Sequence, residues 1–187
     1  VEAVHVHSIV DGLRAMGNEV SLVGPPAAAA PVGGSPSAAS RAFRLAARKL
    51  PQAGFELMEL AYNLAAYPRL LHAVRATGAE VIYERSAAYA CAGAMVSRRT
   101  GIPLVVEFND VAGLAGLRRH RFARLARQLE ALVLRRAEAV ITITSYLRDE
   151  LRARGVDEER LSVIANGVDP VRFRPDVDGV PIRRHYG

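Results

Sequence analysis

The sequence predicts a parallel α/β domain with helices on both faces of its sheet. Three observations carry this prediction. Short, nearly continuous apolar runs recur along the 187 residues, as in strands covered on both sides. Helical patterns separate those runs. Several runs also end in polar side chains where a strand would give way to a loop, the edge at which open α/β sheets bind ligands.

The first helix covers residues 2–16, with Val6, Ile9, Val10, Leu13 and Met16 in one apolar stripe. Gly17 and Asn18 end it, and residues 19–23 form the first visible strand, stopped by Gly24-Pro25-Pro26. An α/β domain usually begins with a strand feeding such a helix, so we expect a first strand to be missing at the amino end. Residues 25–40 are almost wholly Ala, Pro, Gly and Ser and read as a surface loop. Helical patterns follow at about 41–50 and 54–76, the second punctuated by Pro68. Residues 81–84 make a strand that leads into an alanine-rich segment through Ser97, and residues 103–108 make another after Gly101. An arginine-rich helix runs from Arg118 to Arg136, with Phe122, Leu125, Leu129, Leu132 and Val133 on its buried stripe. The strand at 139–143 precedes Thr144-Ser145. Residues 161–165 form a last buried strand, and Asn166-Gly167 turns the chain sharply through positive φ. The final residues, from Ile182, read as a helix onset.

Composition narrows the function classes. The only cysteine is Cys91, which excludes an intramolecular disulfide and a cysteine-cluster metal site. No run is long and charge-free enough to span a membrane, and the amino end has no secretory signal pattern. A cytoplasmic location is expected, with peripheral contact at the inner face of a membrane left open by the arginine-rich helices. The formal charge is +6, yet Lys49 is the only lysine, and the arginines are interspersed with acids. No helix-turn-helix, zinc or aromatic RNA-binding signature accompanies them, so no nucleic-acid partner is expected.

The chemistry-bearing positions cluster at strand ends. Glu107 and Asn109 point to one side of a strand and Asp110 follows, so acceptors and donors suited to sugar hydroxyls converge there. A carboxylate closing an apolar strand is costly unless paired or wet, which favours a functional Glu107; Asn109 and Asp110 equally suit a turn or helix cap. Arg85 closes the 81–84 strand and can receive an anionic group, while Ser86 and Ser145 are placed as helix caps. His5 and His7 lie two apart rather than four, which argues against a metal pair; His5 sits near the sheet edge and is a candidate for lining a cleft. Asn166, Gly167 and Asp169 follow the last strand. No glycine-rich dinucleotide turn, phosphate loop or serine nucleophile elbow is present.

The order of these pieces resembles the amino-terminal half of family 4 glycosyltransferases of the GT-B type. The carriers are the helix closing on Gly17-Asn18-Glu19-Val20, then Val81-Ile82-Tyr83-Glu84-Arg85. Gly101-Ile102-Pro103-Leu104-Val105-Val106-Glu107-Phe108-Asn109 follows, then the strand leading to Ser145, and Val163-Ile164-Ala165-Asn166-Gly167-Val168-Asp169 with Phe173 and Pro175. Asn18 and Asn109 stand where many relatives have histidine. The resemblance implies a Rossmann-like acceptor-side domain over 1–169, then an interdomain linker and the start of a donor-binding domain over 170–187. It implies sugar transfer from a nucleotide-diphosphate sugar to a sugar or glycolipid acceptor, with retention and no required metal. The donor and the paired catalytic carboxylates would belong to the carboxyl-terminal domain, so no catalytic residue is assigned here and the fragment alone is expected to be inactive. Glu107, Asn109, Asp110, Arg85, Ser145 and His5 would line the acceptor cleft, and Asn166, Gly167 and Asp169 the hinge. The alternative is a non-catalytic α/β module binding an anionic carbohydrate or lipid surface; a one-domain enzyme of the epimerase kind is a third reading.

Overall fold

The computed structural model describes residues 2–25, 50–112, 120–168, 170, 174, 176 and 178–186. Four strands, β1 (Ile82–Arg85), β2 (Leu104–Phe108), β3 (Ala139–Thr142) and β4 (Leu161–Val163), form one parallel sheet in that order. The helices are α1 (Glu2–Ala15), α2 (Gln52–Thr77), α3 (Ala92–Thr100), α4 (Ala123–Arg136), α5 (Ser145–Ala153) and the short α6 (Val180–Tyr186). Because the order advances steadily and crossovers are right-handed, the three connecting helices α3, α4 and α5 share one face.

The register sorts the side chains between faces. Ile82, Leu104, Val106, Val140 and Leu161 align on the helical face and pack against Val96, Val133, Leu134, Leu147 and Leu151 as the core. Tyr83, Arg85, Glu107 and Ile141 lie on the opposite face. There α1 approaches, bringing His5 to Glu107. The helical face is closed to solvent at Leu104, Val106 and Phe108, whereas on the opposite face Glu107 is buried, Val105 and Ile141 are half-buried and Tyr83 is exposed.

Two expected strand features change. Residues 19–23 do not join the sheet; no described strand lies beside them to complete a ladder, and their apolar pattern alone cannot satisfy the backbone. The last strand is a three-residue edge strand with only Leu161 buried, and Val163 is 42 % exposed. After it, Asn166 and Gly167 run on without the positive φ their sequence invites. The expected helix at about 41–50 lies outside the described residues except for Leu50, which is not helical. Pro68 sits inside an uninterrupted α2, and α2 and α3 each end at a left-handed glycine, Gly78 (φ 62°) and Gly101 (φ 79°).

The arginine-rich helix keeps part of its expected stripe, with Val133 buried and Leu129 packed against the core. α4 starts at Ala123 and buries Ala126, Val133 and Leu134, leaving Phe122 and Leu132 exposed. Polar contacts add to this packing: Arg136 donates to the carbonyl of Ser97, and Glu130 accepts the backbone N–H of Ala112 and an ion pair from Arg154.

A buried carboxylate and a half-buried amide tie α2 and α3 to this frame. Glu56 of α2 accepts the Tyr89 hydroxyl, the backbone N–H groups of Arg121 and Phe122, and the Gln52 amide. Burial pushes its carboxyl up, but these donors outweigh that and hold it down at about 2. They also fasten Tyr89, which adopts φ 64°, a strained value for a bulky side chain. Asn63 accepts the N–H groups of Cys91 and Ala92 and so caps α3 from outside.

Glu84 shows the opposite balance. It points into the helical face against Gly93, where an added Cβ would lie 1.6 Å from its Oε2. Burial raises its carboxyl to about 7, opposed only by the Gly93 N–H. A raised acid favours folding fully below its unfolded value and loses that contribution as pH rises through its folded value. Glu84→Gln should therefore flatten the decline in stability between pH about 4.5 and about 7, read from urea midpoints across that range. A wild-type slope left unchanged by the substitution would show that Glu84 does not titrate there.

Candidate functional site

The carboxyl edge of the sheet gathers its polar side chains around Glu107. This residue ends the buried run of β2, and its side chain is only 3 % exposed. Oε1 takes the His5 Nε2 at 2.7 Å and the Asn109 Nδ2 at 2.8 Å, and Oε2 takes the Tyr83 hydroxyl at 2.6 Å. Burial pushes the Glu107 carboxyl up, but the bonds from Tyr83, Asn109 and His5 outweigh burial and hold it below the usual carboxylate range. It is therefore an anion at neutral pH. The same contact acts in reverse on Tyr83: burial first, then the bonded carboxylate, push its phenol above the usual range, while Arg85 opposes them.

Strand alternation explains the convergence. Tyr83 and Arg85 lie two apart on β1 and so share a face, and the register sets Arg85 directly beside Glu107. Asn109 follows two residues after Glu107 and folds back on it. His5 arrives from the first turn of α1, 102 residues away in sequence. Tyr83 was not among the sequence candidates, although the period of two that links Glu107 to Asn109 also links Arg85 to Tyr83. Asn63 and Glu56 carried no local signal, because each acts on a segment far along the chain.

The remaining candidates disperse. Asp110 is exposed and borders a small cavity of about 30 Å³ shared with Ser86, Tyr89, His120 and Glu130, enough for about one water. Ser86 does not cap a helix; its N–H continues the ladder to the Glu107 carbonyl, and α3 begins six residues later. Ser145 is likewise not the cap of α5. Thr144 is, in an extended conformation with its hydroxyl accepting the Leu147 N–H, which leaves Ser145 as the exposed first helical residue. Asn166 and Gly167 are exposed beyond β4 and take no part in the Glu107 cluster. Asp169 lies outside the described residues.

Among the described residues no group of three or more His, Cys, Asp or Glu side chains is placed to hold a metal ion, and no described helix is long and apolar enough to cross a membrane. The cluster is instead a hydrogen-bonding surface: a buried anion surrounded by an imidazole, a phenol and an amide. Removing its centre should be costly. Glu107→Ala leaves three polar groups without their acceptor and is expected to destabilise the fold by about 3 kcal/mol or more, whereas Tyr83→Phe should cost about 1 kcal/mol. Tyr83→Phe should also move the Glu107 carboxyl upward toward its ordinary value, read from the side-chain carbon shift against pH. Because a depressed acid stabilises above its unfolded value and loses that contribution as pH falls, the variant should be relatively less affected by acid. An unmoved carboxyl would mean that the Tyr83 contact contributes nothing.

Comparison with known proteins places this architecture. No curated protein matches the chain significantly. The Glycosyltransferase Family 4 profile matches residues 3–172, a span that holds all four strands and the whole Glu107 cluster. A parallel sheet with polar groups massed at its carboxyl edge is thus a glycosyltransferase domain, and the chain belongs to Glycosyltransferase Family 4.

Proposed function

We propose that this domain forms the acceptor side of a retaining hexosyltransferase whose nucleotide-diphosphate sugar is held mainly by a second, carboxyl-terminal domain. The observation that supports this reading is the Glu107 cluster: hydrogen-bonding side chains suited to hydroxyl groups, gathered at the carboxyl edge of a parallel sheet. Arg85 beside Glu107 adds a positive charge suited to a phosphate, such as that of a glycolipid acceptor or a departing diphosphate. The described residues offer no glycine-rich loop at a strand end to cradle a nucleotide. Residues after 169 would then connect the two domains, and no cofactor is needed within this one.

Calorimetric titration with UDP-glucose and GDP-mannose tests the division of labour. The isolated chain should bind neither more tightly than millimolar, while saccharide acceptors should perturb the resonances of Tyr83, Asn109 and His5. Micromolar binding of a nucleotide-sugar by this chain would put the donor site here and overturn the reading.

A second reading, a module that holds an anionic carbohydrate or lipid surface, has one observation of its own. A groove of about 570 Å³ along α4 is lined by Arg127, Arg135, Arg154 and Arg160. Arg154 is already neutralised by Glu130 and Glu150, and Arg160 is bound to the carbonyls of Leu134 and Ala137. That leaves Arg127 and Arg135 as the groove's free charges among the described residues, about 12 Å apart along the helix. Co-sedimentation with phosphatidylglycerol vesicles decides: strong, salt-sensitive binding abolished by Arg127→Gln with Arg135→Gln would favour it.

A further inference from the structure

We infer that the groove along α4 is a docking site for an extended acidic segment of a partner protein, whose carboxylates it reads at a spacing of four residues. The inference does not rest on the acceptor-side reading, because α4 and the Glu107 cluster lie on opposite faces of the sheet.

Charge is the first observation. Four arginines line the groove against one carboxylate, Glu130, which is already taken by Arg154 at 2.7 Å and by the Ala112 N–H. Arg154 is held in turn by Glu150 and the Ala112 carbonyl, and Arg160 by the carbonyls of Leu134 and Ala137. Arg127 and Arg135 are exposed and remain the groove's free charges among the described residues.

A buried donor is the second observation. Arg160 Nε is closed to solvent without a hydrogen-bond partner among the described residues. The exposed Asp157 carboxylate stands 3.5 Å from it. A buried donor in that state favours a ligand that brings an acceptor.

Spacing selects the ligand. Positions 127, 131 and 135 share one helix face, with the small Ala131 between the two arginines and the buried Leu134 and Val156 also lining the groove. Eight residues of helix set the two arginines about 12 Å apart. In an extended chain, side chains four residues apart point the same way and lie about 13 Å apart. Carboxylates at the first and fifth positions of such a segment therefore meet both arginines, while the third side chain passes over Ala131. Each guanidinium can then take its carboxylate through paired N–H donors. A lone phosphate offers one centre of charge for two sites. A bilayer surface is flat and meets rim charges rather than the floor of a groove of about 570 Å³.

NMR titration of the chain with a blocked five-residue peptide, glutamates at its first and fifth positions with alanine and glycine between, tests the spacing. The control peptide carries its two glutamates side by side. The side-chain Nε–H signals of Arg127, Arg135 and Arg160 should shift with the spaced peptide. That peptide should bind about fivefold tighter than the control and lose about tenfold in affinity in roughly 0.3 M salt. Arg127→Gln with Arg135→Gln, both surface changes, should bring the two peptides to the same weak affinity. His5 and Tyr83 signals should stay in place. Equal binding of the two peptides by the unaltered chain would reduce the groove to a diffuse positive surface and overturn the inference. So would a response confined to His5 and Tyr83, no response at all, or inorganic phosphate bound by the same three arginines as tightly as the spaced peptide. Phosphatidylglycerol vesicles held through Arg127 and Arg135, with no shift from the peptide, would assign the groove to a lipid surface instead.

Discussion

A carboxylate that ends a buried strand must be answered, and the answer to Glu107 organises the site. With its side chain almost closed to water, it stays charged only because three donors reach it. Those donors come from α1, from β1 and from the loop after β2. One anion therefore fixes where a distant helix docks, how two adjacent strands present their side chains and how the following loop begins. The same bonds that relieve its burial create the polar surface at the carboxyl edge.

Three acids show how burial and donors compete. Glu56 has at least four donors and stays far below the usual range; Glu107 has three among the described residues and is also lowered. Glu84 has the single Gly93 N–H and is raised to about 7. Burial pushes all three upward, and several donors outweigh it at Glu56 and Glu107, whereas at Glu84 one N–H does not. Glu56 and Glu107 act as joints between segments. Glu84 is tolerated because Gly93 leaves room for it.

Much of the fold was legible in the chain. Parallel strands covered on both faces need continuous apolar runs, and the runs at 81–84, 103–108 and 139–143 coincide with β1, β2 and β3. Residues 19–23 misled for a physical reason: a strand is defined by its neighbour, and a local apolar pattern does not report one. At 161–165 the pattern located a strand but not its position at the edge of the sheet, where most of it is exposed. The stripe of α4 was legible in part: Leu129 and Val133 face the core as expected, but Ala126 and Leu134 are buried while Phe122 and Leu132 are exposed.

Taken alone, the sequence determined the class of fold and that a carboxylate closing the 103–108 run needs partners, because these follow from local period and from the cost of a buried charge. Tertiary structure decided the company Glu107 keeps. His5 lies 102 residues away, and no spacing rule connects a helix's first turn to a strand end. Only the docking of α1 on the sheet brings the imidazole to the carboxylate, and only the parallel register places Tyr83 and Arg85 beside it. Local chemistry can announce that a buried charge needs partners, but it cannot name them, because those partners are chosen by packing.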